Sequence, residues 1–118
     1  GHGHHIYEDE NLCKIARDKR ITLEICPTSN IQCLTEPSYQ KHPAKKLFDL
    51  GIPVTINTDN MTLAGTTLDD EYDHCINEMG FTRKDIIETN IYAIEASFAD
   101  EKTKETIKNN LEKALKEN

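Results

Sequence analysis

The sequence predicts an α/β fold with two to three parallel strands, several helices and a helix-rich C-terminus. Three observations carry that expectation. A strand-like alternation at 21–26 and a β-branched run at 54–56 are separated by a helical segment, as in a β-α-β unit. A helical crossover returns the chain to the same end of a sheet, so the two strands run parallel. Beyond residue 67 the apolar positions recur only at helical spacing. A length of 118 residues, with 36% hydrophobic and 30% charged side chains, fits one ordinary globular segment over 1–118.

Taken in order, Asp9 is expected to cap a first helix that turns Leu12, Ile15 and Ala16 inward, with Lys19 and Arg20 at its negative end. Ile21-Thr22-Leu23-Glu24-Ile25-Cys26 alternates like a strand, and Pro27 stops it. The following CPTSNIQCLTEPSYQ is read as loop from its Pro, Ser, Thr and Asn content. A second helix starts at Pro43, places Ala44, Leu47 and Phe48 inward and ends at Gly51. The second strand runs from Pro53 through Ile56. Thr67 is placed to cap a helix carrying Leu68, Tyr72, Cys75, Ile76 and Met79 up to Gly80. Thr82 and Asp85 form a capping-box pattern ahead of Ile87, Ile91, Ile94 and Phe98. Asp100 opens a last, charged helix with Ile107, Leu111 and Leu115 on one face. A third strand is expected to end at Gly1. Even three strands cannot close a barrel, and an open pair leaves backbone donors and acceptors exposed at both edges, so the chain reads as part of a larger structure.

Composition narrows the function classes. Fourteen basic against twenty-one acidic side chains give a formal charge of −7, which repels phosphate backbones and anionic lipid surfaces and argues against nucleic acid as a partner. No apolar run approaches the ~20 residues of a spanning helix, and Gly-His-Gly-His-His lacks the apolar segment of a signal peptide, so a cytoplasmic setting is expected. Cys13, Cys26, Cys33 and Cys75 form no C-x-x-C pair and are read as reduced packing residues.

Both strands finish on one edge, at Pro27-Thr28-Ser29-Asn30 and at Thr58-Asp59-Asn60. In parallel α/β folds the carboxyl edge is where chemistry collects. Asp59 has two readings there: a turn or helix cap, or the oxygen ligand of a zinc site, at about 2.0–2.2 Å, whose other ligands are mainly histidines. His2, His4 and His5 have two as well, a residual purification tag or a strand end at which small neighbours let a ligand approach an imidazole. His42 and His74 fall on expected helices and are read as surface or cap residues. Ser29 and Ser38 lack a G-x-S-x-G context, and there is no glycine-rich phosphate loop.

Read in order, Gly1-His2-Gly3, Leu23-Glu24-Ile25-Cys26-Pro27-Thr28-Ser29-Asn30, Asn57-Thr58-Asp59, Gly65-Thr66-Thr67-Leu68 and Glu95-Ala96-Ser97-Phe98 resemble the C-terminal part of the adenosine deaminase family. The match covers essentially the whole chain, and it puts Gly-His-Gly where the family has its own histidine, which argues against the tag reading. The resemblance implies the C-terminal part of a (β/α)8 TIM barrel, a fold of about 250 residues when complete. It implies zinc-dependent hydrolysis of the 6-amino group of adenosine or deoxyadenosine to inosine or deoxyinosine and ammonia. Asp59 would be a zinc ligand that also contacts the attacking hydroxide, and His2 would orient and polarise that hydroxide. At the next position the commonest family pattern has a second Asp that bonds a purine ring nitrogen. This sequence has Asn60, whose amide NH2 donates to a ring nitrogen and leaves the choice of purine open.

The family's paired histidines, third histidine ligand and catalytic Glu, on a His-Ala-Gly-Glu segment, have no counterpart among the 118 residues. The one zinc ion would be completed by ligands not in this chain, since His4 and His5 are expected to run from the strand tip into the following loop. The expectation is a C-terminal fragment of the deaminase that is inactive alone. Its partners would be a purine nucleoside and the missing N-terminal part of the barrel, with self-association through the open edges. The alternative, from another class, is a non-catalytic binding or regulatory module that pairs with another chain through those edges.

Overall fold

A computed structural model describes residues 1–117. The chain runs through a 3-10 turn (His4–Glu8), α1 (Glu10–Asp18), β1 (Leu23–Ile25), α2 (Pro27–Gln32), α3 (Ala44–Asp49), β2 (Val54–Ile56), α4 (Met61–Ala64), α5 (Leu68–Glu78), α6 (Arg83–Ala96) and α7 (Glu101–Lys116). The expected caps start four of these helices. The Asp9 carboxylate accepts from the Asn11 and Leu12 amides. Thr67 with Asp70, and Thr82 with Asp85, form reciprocal capping boxes, and Asp100 accepts from the Thr103 amide. Each satisfies amides that a first helical turn leaves without partners.

The strands pair in parallel, Leu23 with Val54, Glu24 with Thr55 and Ile25 with Ile56. The Leu23 amide donates to Pro53 O at 2.9 Å and the Asn57 amide to Ile25 O at 2.8 Å. All three β2 side chains are buried, as expected of a parallel strand covered on both faces. A third strand is not present among the described residues, although the Glu24 amide donates to Gly1 O at 3.2 Å on the free edge of β1. The core gathers Leu23, Ile25, Ile52, Val54 and Ile56 against Ala44 and Leu47 of α3, Cys75 of α5, and Met79, Phe81 and Ile86.

Several expectations are corrected. The CPTSN stretch is helical, because Pro27 sits at a first-turn position that its fixed φ suits, and the Asn30 amide closes the turn on Cys26 O. A short helix, α4, follows Asn60, which caps it by accepting from the Leu63 amide. On α1 the buried positions are Cys13 and Ala16, whereas Leu12 and Ile15 are exposed, because the 3-10 turn packs on the Cys13 side and Ile6 O accepts from the Cys13 thiol. Leu68 and Ile76 on α5 are exposed as well. α6 is covered by β2 on one side and α7 on the other, so Ile86, Thr89 and Ile91 are its buried positions, while Ile87 and Ile94 are half-buried. Phe98 lies beyond the helix end and is fully exposed. α7 buries no residue completely. Among the described residues no helix is long and apolar enough to cross a membrane.

Candidate active site

The end of β2 is tied to the end of β1. The Asn57 side-chain amide donates to Ile25 O at 3.2 Å and to Thr55 Oγ1 at 2.9 Å. Two residues on, Asp59 takes a left-handed backbone with φ 50°, uncommon for a residue with a side chain and concentrated at functional sites. Its Oδ1 accepts from the Asn60 amide at 2.8 Å, and its Oδ2 accepts from the Ser29 hydroxyl at 2.9 Å. The Ser29 hydroxyl first, then the Asn60 amide and the neighbouring His2, hold the Asp59 carboxyl below the usual carboxylate range. His2 Nε2 lies 3.6 Å from Asp59 Oδ2. The expected site residues His2, Asp59 and Asn60 therefore share one edge, joined by Ser29 and Asn30. The helix cap is Asn60, not Asp59.

A chain of hydrogen bonds fixes which His2 nitrogen faces Asp59. The Ala44 amide, which can only donate, gives its proton to His42 Nδ1 at 3.1 Å. Neutral His42 therefore carries its proton on Nε2 and donates to Asn30 Oδ1 at 2.9 Å. Asn30 then presents its NH2 to His2 Nδ1 at 3.2 Å, which leaves the His2 proton on Nε2, the nitrogen beside Asp59. His42 is thus a buried link, with a cap bond to the head of α3 as expected but not a surface residue. His74 bonds Glu78 at 2.6 Å and stacks on Tyr39, which is a structural role.

Burial, then the neighbouring His4 and His5, push His42 down from 6.5 to about 4, so it is neutral near pH 7 as this chain of bonds requires. Between those values the unfolded chain binds a proton that the folded one excludes. The contribution is fully present above pH 6.5 and is lost as the pH falls towards 4, by up to about 3 kcal/mol. Denaturant midpoints followed over this range should fall with acid, and less steeply in His42→Gln. Equal slopes in the two proteins would remove His42 as the cause.

His2, Cys26 and Asp59 bring three ligand atoms within 4.8 Å of one another. Burial, with Asp59 adding to it, pushes the Cys26 thiol up to about 11, so it stays protonated and is a poor metal ligand. Within this trio Asp59 is the side chain that fits a divalent metal, and the packing reading of Cys26 stands. Cys13 and Cys75 are buried too, whereas Cys33 is exposed and does not pack. The sequence pointed to His2, Asp59 and Asn60. Asn30 and Ser29 stood in the CPTSN motif without these roles, and His42 carried no local signal.

Comparison with known proteins places this geometry. The model of the adenosine deaminase family matches residues 1–114. An adenosine deaminase of Clostridium botulinum is 41% identical over 108 residues, 92% of this chain and 32% of its own length. The crystal structure of an adenine deaminase from Arthrobacter aurescens superposes with a TM-score of 0.92 at 22% identity, over 98% of this chain and 35% of that one. An amidohydrolase from Burkholderia ambifaria, solved with bound Zn, superposes with a TM-score of 0.85 at 24% identity, over 98% of this chain and 32% of its own. The chain spans about 30% of the length of the curated relatives it matches. The fold is that of the C-terminal part of a (β/α)8 barrel, as expected.

Proposed function

Because the chain belongs to the adenosine deaminase family, we propose that it supplies one metal ligand and the purine-facing edge of a barrel that hydrolyses adenosine or deoxyadenosine to inosine or deoxyinosine and ammonia. The observation that carries this reading is the ionised, Ser29-held carboxylate of Asp59 beside the Nε2–H of His2, at the carboxyl edge of parallel strands.

The chemistry divides among few side chains. Asp59 is the zinc ligand, an anionic oxygen that needs no proton removed to bind a cation. Zinc, when bound, lowers the pKa of a coordinated water towards ~7 and so makes a nucleophile available near neutrality. His2 offers Nε2–H as a donor beside Asp59, where an attacking oxygen is held from two sides. Asn60 keeps its Oδ1 on the Leu63 amide, so its NH2 is the group that donates to a purine ring nitrogen. The remaining ligands and the carboxylic acid that serves the purine ring are supplied by barrel strands outside these 118 residues. Free cysteines fit a reducing, cytoplasmic setting.

The test follows the ultraviolet change from adenosine to inosine, with added zinc, for this polypeptide alone and mixed with the N-terminal portion of the barrel. Activity in the mixture alone is the expected result. Inactivity in a mixture shown to have reassembled would sink the proposal. The family match does not favour the alternative of a binding or regulatory module, whose zinc affinity would be indifferent to Asp59.

A further inference from the structure

A second group of metal-binding side chains takes no part in the chemistry above. His4 and Glu36 are only 5% and 4% exposed, yet His4 Nδ1, His4 Nε2 and Glu36 Oε1 have no hydrogen-bond partner among the described residues. Buried polar atoms nearly always find partners, so three orphans in one place call for a missing one. His4 Nε2 and Glu36 Oε1 stand 3.5 Å apart. That is long for a hydrogen bond. It is close to the edge, about 3.3 Å, of a tetrahedron whose bonds are about 2.0–2.1 Å, the lengths of zinc–nitrogen and zinc–carboxylate bonds.

His5 brings a third ligand atom, and the three lie within 4.8 Å of one another. Its side chain is 54% exposed, which gives the cluster an opening to solvent through which an ion can enter. Its contact with Glu8, 3.6 Å between exposed groups, is too weak to hold the ring away.

We propose that His4, His5 and Glu36 form a divalent-metal site of the zinc class, separate from Asp59. Two imidazoles and one carboxylate suit Zn2+ or Co2+ rather than Mg2+ or Ca2+, which prefer all-oxygen surroundings. A fourth position is left for water. The ion ties the 3-10 turn to the segment that follows α2, next to the His42 ring, whose centroid is 5.4 Å from that of His4. His4 was expected to leave the strand tip in a loop. The 3-10 turn buries it against Glu36 instead.

Titration with Co2+, read by visible absorption and by metal bound per protein, tests the site in the protein that carries this chain. The expected result is one equivalent with nitrogen- and oxygen-type bands, beyond the ion held through Asp59, that persists in Asp59→Ala. Losing a partner one step removed from a metal weakens binding by about 10–100-fold, so Glu36→Gln and His5→Gln, which remove ligands, should each weaken it by at least about tenfold. His5 is exposed, so the result for its variant stands even if Glu36→Gln fails to fold. Unchanged affinity and stoichiometry in both variants would overturn the proposal. So would a sulfur-to-cobalt charge-transfer band that disappears in Cys26→Ser, which would assign the ion to His2, Cys26 and Asp59.

Discussion

Asp59→Ala is expected to lower the deamination rate of the assembled barrel by at least about a thousandfold and to remove its zinc. Deleting one preorganised group that stabilises a developing charge costs about 10²–10³ in kcat, and the proposed function gives Asp59 two tasks, holding the metal and contacting the attacking oxygen. The variant has a complication, because alanine is strained at φ 50° where aspartate and asparagine are tolerated. Asp59→Asn resolves it. The amide keeps the shape, the left-handed backbone and an oxygen that can accept from Ser29, but it loses the charge. Comparable losses of rate and zinc in both variants, with unchanged melting behaviour in Asp59→Asn, identify the carboxylate charge as the functional element. Full zinc content and near-normal kcat in Asp59→Asn would return Asp59 to a turn-forming role and leave the site without a ligand from this chain.

What was legible in the sequence was what is decided locally. The caps at Asp9, Thr67, Thr82 and Asp100 are bonds over two or three residues, so the sequence pattern and the structure agree. Helix faces were less legible, because distant elements decide them. Leu12 and Ile15 matched helical spacing as well as Cys13 and Ala16 do, and only the position of the 3-10 turn selects the latter. The same holds at the site. His2 and Asp59 stand in motifs that the family resemblance picks out, and they meet because β2 pairs with β1 while Gly1 bonds the other edge of β1. The bonds that orient His2 run through Asn30 and His42, twelve residues apart, and no periodicity signals a hydrogen-bond chain of that kind. The orphaned pair of His4 and Glu36 is separated by all of α1, β1 and α2, and each residue alone reads as a surface polar group.

Glu71→Ala is expected to destabilise the fold by about 3–5 kcal/mol, and the reason explains why α2 was unreadable as a helix. Glu71 is 0% exposed. Its Oε2 accepts from the Thr28 amide at 3.1 Å, at the head of α2, and its Oε1 accepts from the Thr66 hydroxyl at 2.9 Å. Hydrogen bonds to a charged group contribute about 1.5–3 kcal/mol each, and removing a buried partner leaves its donors unsatisfied. The desolvation of a buried charge offsets part of that sum. The start of α2 is thus secured from 43 residues away, by a contact that local composition cannot reveal. Glu71→Gln retains one acceptor for Thr28 and lets the Thr66 hydroxyl rotate to accept, so its loss should be roughly 1–2 kcal/mol. Urea midpoints at constant m value give both numbers. A loss under about 1 kcal/mol in Glu71→Ala would show that α2 holds its start without the carboxylate. If the larger loss is found, the less destabilised Gln variant tests the link to function. Thr28 precedes Ser29 and Asn30, so a loosened α2 weakens the Ser29 bond to Asp59 and the Asn30 bond to His2 together. kcat should then fall further than the fraction of unfolded protein accounts for.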